Sequence, residues 1–378
     1  MKYPIGIQDF EDLQRNGYAY VDKTNFVYKL ADEGKYYFLS RPRRFGKSLF
    51  LSTLEAYFQG KKELFEGLAI YDLETDWKKY PIFHIDLNTA NFREKDSLYT
   101  VLNDYLTTWE CKYGTRESEA TLALRFKGVI ARAAEKEGCG VVILIDEYDK
   151  PILQTMRDPE LQAKHRAQLK AFYSVLKTQD RYIKFAFLTG VTKFGKVSVF
   201  SDLNNLTDIS MDHRYISICG MTEKELLTNF KEGIGELASA NEDNETETID
   251  KLRMRYAGYH FEENSEEIYN PFSVLNTLAN SRYDDYWFKA NTHTFLIDIL
   301  KKHDYCITDL NKAQVKANMM NNVDFNPIPV IYQSGYLTIK SYDERFKNYQ
   351  LGIPNKEVEV GILNTLLPHG CKTAEMDC

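Results

Sequence analysis

The sequence has 378 residues, more than one typical domain, and predicts two folded units with enough chain to bury a core. Hydrophobic residues make up 43% and charged residues 27% of the chain, and this ordinary composition excludes a largely disordered protein. The formal net charge of -7 argues against coating nucleic acid through bulk positive charge, although a local basic patch could still bind phosphates.

The cysteines and the apolar segments bear on the cellular location. Six cysteines are scattered without a CxxC pair, and we find neither a signal peptide nor a long apolar span. We therefore expect reduced thiols in a cytoplasmic protein that does not associate with a membrane, and we expect no cysteine-based metal site.

The first clear element is a strand followed by a loop and a helix. The run "YYFLS" (36–40) has the length and aromatic content of a buried strand, and "RPRRFGKS" follows it directly. The next segment has apolar residues at three- and four-residue spacings and stops at Gly60, which is typical of an amphipathic helix.

Strands and helices continue to alternate as far as Gly220. The apolar runs predict strands at 81–87, 140–145, 184–190 and 215–220, and the amphipathic segments predict helices at 98–113 and 119–138. Because alternating strands and helices favour parallel pairing, the pattern predicts an α/β domain over residues 1–220, with helices on both faces of a parallel sheet.

The pattern changes after Gly220, and residues 221–355 are predicted to form a mostly helical second domain. Thr222 and Glu225 form a capping box at one helix start, and Asn270 before Pro271 marks another. We expect an exposed loop at 241–248, a helix at 292–303, and a helix end followed by a strand pair at 327–342. Residues 356–378 form a C-terminal segment.

The loop after the first strand has the residue types of a phosphate site. Backbone N–H groups and a helix N-terminus can hold phosphates, Lys47 can reach the β and γ oxygens, and Ser48 can bind Mg²⁺. The candidate nucleotide-binding residues are Arg43, Arg44, Phe45, Gly46, Lys47, Ser48 and Leu49. Arg41 occupies the position of the usual first glycine, and Pro42 partly replaces that glycine by fixing φ.

A buried strand that ends in two acids supplies the partner chemistry. Asp146 is the candidate metal residue and Glu147 the candidate base that polarises an attacking water, both at the carboxyl end of their strand. The alternative is that Asp146, Glu147 and Asp149 only form a solvated acidic turn.

Other polar residues near the strand ends have two interpretations each. Thr189 is a candidate catalytic residue that senses the γ-phosphate or orients water beside Glu147, or it caps its strand while Lys193 lies in solvent. Arg43 and Arg44 either stabilise phosphate or form a solvated pair. His260, among aromatic residues, fits a packed and hydrogen-bonded histidine better than a catalytic one.

Several stretches together resemble one family. They are "YPIGIQDFEDLQRNGYAYVDKT", "FLSRPRRFGKSLFLSTLEAYF", "YPIFHIDL", "VVILIDEYDKPI", "FLTGVTKFGKVSVFSDLNNLTDIS", "YNPFSVLN" and "YQSGYLTI", and they look like the AAA-ATPase-like P-loop proteins of Bacteroidetes and other bacteria. That family's own phosphate loop also lacks the first glycine. The resemblance matches Lys47 and Ser48 to the Walker A residues, and Asp146 and Glu147 to the Walker B pair.

The resemblance also implies the wider architecture. It predicts a P-loop NTPase core of the additional-strand type, followed by a winged-helix-like region. The segment "YVDKT" (20–24) is expected to lie near the nucleotide, with a structural role for Asp22 as the alternative. Family members usually carry a C-terminal PD-(D/E)xK nuclease-like domain, which this sequence lacks, so we expect no DNA cleavage.

The functional expectation is an ATP-binding protein that hydrolyses ATP with Mg²⁺ and couples its nucleotide state to a protein or DNA partner. The alternative is a nucleotide-gated interaction module without turnover. The preference for ATP over GTP, the oligomeric state and the partner stay open.

Overall fold

The computed structural model describes residues 1–193, 199–200, 203, 205–290, 296–297, 300, 307–320 and 327–366. Its centre is a five-stranded parallel sheet flanked by helices. The strands are β1 (Tyr36–Ser40), β2 (Ile82–Asp86), β3 (Val141–Asp146), β4 (Ile183–Gly190) and β5 (Thr207–Asp208). The predicted parallel α/β sheet is therefore confirmed.

The strand order is β2-β3-β4-β1-β5, so β4 lies between the strand that carries the loop and the strand that carries the acids. Ser40 pairs with Gly190, and Asp146 pairs with Asp86 at the end of the edge strand. The carboxyl ends of the four longer strands therefore meet at one edge of the sheet. Strands β1 and β3 are buried along their whole length, as their continuous apolar runs predict.

The helices of the first 180 residues surround this sheet. They are α1 (Phe10–Arg15), α2 (Thr24–Glu33), α3 (Lys47–Phe58), α4 (Ala69–Leu73), α5 (Ser97–Tyr113), α6 (Leu122–Glu137), α7 (Lys150–Gln154), α8 (Pro159–Tyr173) and α9 (Val175–Thr178). Helix α3 follows the loop directly, as predicted, and α5 and α6 match the two predicted amphipathic helices within a few residues.

The C-terminal region is mostly helical and contains two small antiparallel sheets. Its helices are α10 (Glu223–Asn229), α11 (Lys231–Ala240), α12 (Glu245–Tyr256), α13 (Pro271–Asn280), α14 (Tyr286–Lys289), α15 (Ile307–Leu310), α16 (Pro327–Gln333) and α17 (Lys356–Leu366). Strands β6 (Met221–Thr222) and β7 (Ile268–Tyr269) form one sheet, and β8 (Gln314–Lys316), β10 (Asn348–Gly352) and β9 (Thr338–Asp343) form the other. The capping box of Thr222 with Glu225 and the Asn270 cap are confirmed.

Two local predictions were wrong. Residues 215–220 do not form the fifth strand: His213–Ile218 is a 3₁₀ segment, and the polar pair Thr207–Asp208 completes the sheet beside β1. A short apolar run is equally compatible with a buried turn, which is why the pattern misled. The loop expected at 241–248 ends at Asn244, because Asn244 and Glu247 form a second capping box that starts α12. Most of the helix predicted at 292–303 lies outside the described residues.

The hydrophobic core continues from the sheet into the C-terminal region. One cluster of buried side chains includes Phe38 and Ile143 of the sheet together with Trp287 and Ile362. A smaller cluster, formed around Leu237, Leu252 and Leu278, packs inside the helical region. The domain limits at 220/221 and 355/356 and the winged-helix character of this region stay predictions. No described helix combines the length and apolar character needed to cross a bilayer.

Candidate functional site

The loop between β1 and α3 presents a run of free backbone donors. Its N–H groups at residues 43–47 find no acceptor among the described residues. Gly46 precedes the helix with φ 96°, a left-handed conformation that glycine adopts without steric cost. Unpaired N–H groups beside a helix N-terminus form the arrangement that binds phosphate in proteins, so the loop fits an anionic phosphate group.

Arg41 anchors the base of this loop. Its side chain is 1% exposed, and its guanidinium donates hydrogen bonds to the carbonyls of Ser210 (2.7 Å), Tyr215 (3.2 Å) and Ile216 (3.4 Å). The guanidinium also lies 4.0 Å from the centre of the Phe261 ring. Arg41 is not among the residues with positive φ, so the backbone here does not require a glycine.

Lys47 lies at the first position of α3 and points its ammonium back into the loop. The Nζ atom donates to the carbonyls of Arg41 (3.1 Å) and Pro42 (3.3 Å), and it lies 3.3 Å from the Glu147 carboxylate. The side chain is 4% exposed. A phosphate on the free N–H groups would therefore meet a desolvated positive charge.

Asp146 joins three elements at the end of β3. Its Oδ2 accepts a hydrogen bond from the Ser48 hydroxyl on α3 at 2.5 Å, and its Oδ1 accepts from the Thr189 hydroxyl at the end of β4. The structure thus brings together three residues that sequence reasoning selected separately. Hydroxyl and carboxylate oxygens are the ligands that Mg²⁺ prefers. Among the described residues no group of three or more histidines, cysteines or acids could hold a metal, so an ion here would need phosphate or water oxygens as further ligands.

Two of the six non-glycine residues with positive φ in the described part of the chain lie at this edge of the sheet. Glu147 has φ 53° and Arg44 has φ 66°, both in the left-handed region that non-glycine residues usually avoid. Each such residue costs about 1 to 2 kcal/mol, and functional sites are where strain of this kind collects. At Glu147 the turn places the carboxylate beside Lys47.

Asp149 ties the acidic turn to the end of β4. Its carboxylate accepts hydrogen bonds from the Thr192 N–H (2.7 Å), the Thr192 hydroxyl (2.8 Å) and the Val191 N–H (3.2 Å). Burial, followed by the nearby Glu147 charge, raises the pKa of Asp149 to about 6. Asp146 and Asp149 are 4% and 0% exposed, so the alternative of a solvated acidic turn is wrong.

Lys193 does not lie in solvent. Its ammonium pairs with the Asp208 carboxylate of β5 at 2.8 Å, and its N–H donates to the Gln333 side chain at 2.7 Å. The side chain is buried. Lys193 therefore links the end of β4 to the edge strand and to α16, while Thr189 faces Asp146.

The remaining loop residues face the C-terminal region. Phe45 is buried against Tyr259, and the Arg43 carbonyl accepts a hydrogen bond from the Trp287 indole at 2.9 Å. The Arg43 and Arg44 side chains are exposed, and Leu49 is half-buried. Both interpretations of the arginine pair stay open.

Two other residues from the sequence analysis have structural contacts. The His260 Nδ1 lies 2.9 Å from the Ser265 carbonyl, which fits the packed histidine. The Asp22 carboxylate accepts from the Thr24 N–H at 2.8 Å and from the Ala69 N–H at 2.7 Å, so it holds the starts of α2 and α4 together.

Sequence reasoning missed the residues that contact this site but are distant from it in the chain. Asp208, Trp287 and Gln333 contact the loop or the β4 end across long stretches of chain, and no local pattern marks them. The contacts of Asp149 were also missed, although its position in "DEYDK" was visible.

Comparison with known proteins identifies a family and one similar protein. Residues 4–200 match the AAA-ATPase-like family, described as "Predicted AAA-ATPase". The chain is 38% identical over 373 residues to an uncharacterised protein encoded in the vnfD 5′ region of Azotobacter chroococcum mcd 1, covering 97% of this chain and 70% of that protein. No solved structure matches the chain. With a family match over more than half of its length and this relative, the chain belongs to the AAA-ATPase-like family.

Proposed function

We propose that the protein binds ATP with Mg²⁺ and hydrolyses it at the carboxyl edge of the central sheet. One observation carries the proposal: the N–H groups of residues 43–47, which have no acceptor in the described part of the chain, lie at this edge together with Lys47 and the cluster of Ser48, Asp146 and Thr189. The strand order supports it, because β4 between the loop strand and the acid strand is the arrangement expected of the additional-strand type.

The binding roles follow from the donors and acceptors present. The N–H groups of residues 43–47 would hold phosphate oxygens, and Lys47 would exchange its loop carbonyls for a phosphate. Ser48 and Asp146 would hold Mg²⁺, with the Thr189 hydroxyl fixing the Asp146 carboxylate. When bound, the ion neutralises charge on the phosphate oxygens.

Glu147 is the proposed general base. Its strained backbone places the carboxylate at the site. In this structure the carboxylate forms a 3.3 Å ion pair with Lys47. A phosphate that draws Lys47 away would free the carboxylate to accept a proton from water. Nucleotide binding would in this way prepare the base.

Coupling to a partner is the second part of the proposal. Trp287 and Gly335 of the C-terminal region lie directly against the phosphate loop, so a change of loop geometry on binding or hydrolysis would reach this region. A protein or nucleic acid that binds this region could then respond to the nucleotide state. If turnover proves absent, the same contact would support a nucleotide-gated interaction module.

Calorimetric titration of ATP and GTP, with and without Mg²⁺, tests the binding step. We expect Lys47→Ala to weaken affinity about tenfold or more, because hydrogen bonds to a charged donor contribute about 1.5 to 3 kcal/mol. Lys35→Ala is the matched control. This lysine also forms an ion pair, with Asp180, but it lies just before β1, at the amino ends of the strands. Equal ATP affinity of the Lys47 and Lys35 variants would contradict the proposal.

A further inference from the structure

The C-terminal region packs against the phosphate loop. A Cβ atom on Gly335 would lie 2.8 Å from the Pro42 Cβ, which shows how closely the two backbones approach. The Arg44 guanidinium lies 5.0 Å from the centre of the Phe272 ring, and the Phe45 carbonyl accepts a hydrogen bond from the Gly220 N–H at 2.9 Å. These contacts hold the loop at Pro42, Arg44 and Phe45.

Trp287 makes the most directed of these contacts. Its side chain is 1% exposed, and its indole N–H donates to the Arg43 carbonyl at 2.9 Å. The indole also packs edge-on against Tyr336, with ring centres 5.5 Å apart. A buried indole with ring contacts and a single directed N–H has little freedom to follow a different loop conformation.

The backbone of Trp287 is itself fixed by a buried acid. The Glu357 carboxyl group of α17 accepts a hydrogen bond from the Trp287 N–H at 2.8 Å, and its two oxygens lie within hydrogen-bond distance of the Ser273 hydroxyl, at 2.8 Å and 3.0 Å. None of the ion pairs found in the described part of the chain involves Glu357. This acid therefore acts on its neighbours through hydrogen bonds, and it joins α13, α14 and α17 behind the indole.

We propose that Trp287 is a positioning residue for nucleotide binding, which rests on the proposed function. A peptide unit is planar and trans, so the C=O of Arg43 and the N–H of Arg44 point in opposite directions. By holding that carbonyl, the Trp287 indole turns the Arg44 N–H away from the C-terminal region and toward the phosphates. Arg44, with φ 66°, would otherwise leave this conformation easily.

Trp287→Phe removes the N–H donor and keeps an aromatic ring. We expect the KM and the calorimetric Kd for Mg-ATP to rise about three- to tenfold, the loss typical of one hydrogen bond, with kcat within about twofold of wild type. Trp77→Phe is the matched control, because the Trp77 indole also donates to a carbonyl, that of Glu74 at 3.0 Å, and is also buried. A purely structural role would give both variants the same thermal destabilisation and an unchanged KM. An unchanged KM in Trp287→Phe would overturn the proposal.

A second measurement needs no change at Trp287. The protein has three tryptophans, so the ¹⁵N–¹H indole signals of wild type can be assigned by elimination with Trp77→Phe and Trp109→Phe. A phosphate bound to the Arg44 N–H would polarise the same peptide and strengthen its bond to the indole. We expect a non-hydrolysable Mg-ATP analogue to shift the Trp287 signal and to leave the Trp77 signal in place. Calorimetry on the same sample separates the outcomes: binding without a Trp287 shift overturns this inference alone, and absence of binding overturns the proposed function with it.

Discussion

Replacing Arg41 by alanine perturbs the feature that separates this phosphate loop from the usual glycine-containing type. The guanidinium is buried beneath the loop, donates to carbonyls of Ser210, Tyr215 and Ile216, and stacks on Phe261. Because these carbonyls belong to the segment that follows β5 in the chain, the side chain joins the loop to that segment.

The expected loss of unfolding free energy follows from the two shortest hydrogen bonds of the Arg41 guanidinium. Nη1 donates to the Ser210 carbonyl at 2.7 Å and to the Ser40 carbonyl at 2.9 Å. A hydrogen bond from a charged donor contributes about 1.5 to 3 kcal/mol, so losing both should lower the free energy of unfolding by about 3 kcal/mol or more. The cavity left beside Phe261 adds to this loss.

The assay is urea unfolding followed by far-UV circular dichroism and tryptophan fluorescence. Arg43→Ala is the control, because this arginine is in the same loop but its side chain is exposed, and we expect a change of no more than about 0.5 kcal/mol. If Arg41→Ala unfolds within about 1 kcal/mol of wild type, the assignment of Arg41 as the anchor of the loop is wrong.

Two further predictions concern the metal residue and the buried acid. Thr189→Val should raise the Mg²⁺ concentration for half-maximal turnover about tenfold, because the charged form of Asp146 loses a hydrogen bond. Thr192→Val is the control, because it removes a hydroxyl that is bonded to Asp149 instead. Equal Mg²⁺ dependence of the two variants would contradict the role of Thr189. Burial raises the pKa of Glu357 to about 8 from its usual 4.5, so the folded state disfavours its charged form, and the free energy of unfolding of wild type should fall as pH rises from 4.5 to 8. Between pH 6 and 8 the free energy of unfolding, measured with urea, should fall by about 2 kcal/mol more in wild type than in Glu357→Gln. Because Asp149 titrates in both proteins, its effect cancels in this comparison, and equal falls would exclude the effect of Glu357.

The sheet and the centre of the site were accessible from the sequence because their signals are local. Continuous apolar runs identified β1, β3 and β4, and the residues that follow those runs are Lys47, Asp146 and Thr189. The parallel order then brings the strand ends to one edge, so residues about a hundred positions apart meet.

The contacts that support the site were not accessible in this way. Edge strand β5 is only two polar residues long, so it has neither the length nor the alternation of a strand. Trp287 reaches Arg43 across more than two hundred residues, and only tertiary packing decides that contact. The role of Arg41 was hidden for the same reason: its acceptors are backbone carbonyls, which leave no mark in a sequence.

Phosphate release from Mg-ATP by wild type and Glu147→Gln tests the central claim most directly. Glutamine keeps the size of the side chain and removes the base, and loss of a general base typically costs about 10² to 10⁴ in rate. We predict Mg²⁺-dependent release by wild type and a drop of that size in the variant, with calorimetric ATP affinity retained. Release by Glu147→Gln at the wild-type rate would contradict the account, as would the absence of release by wild type.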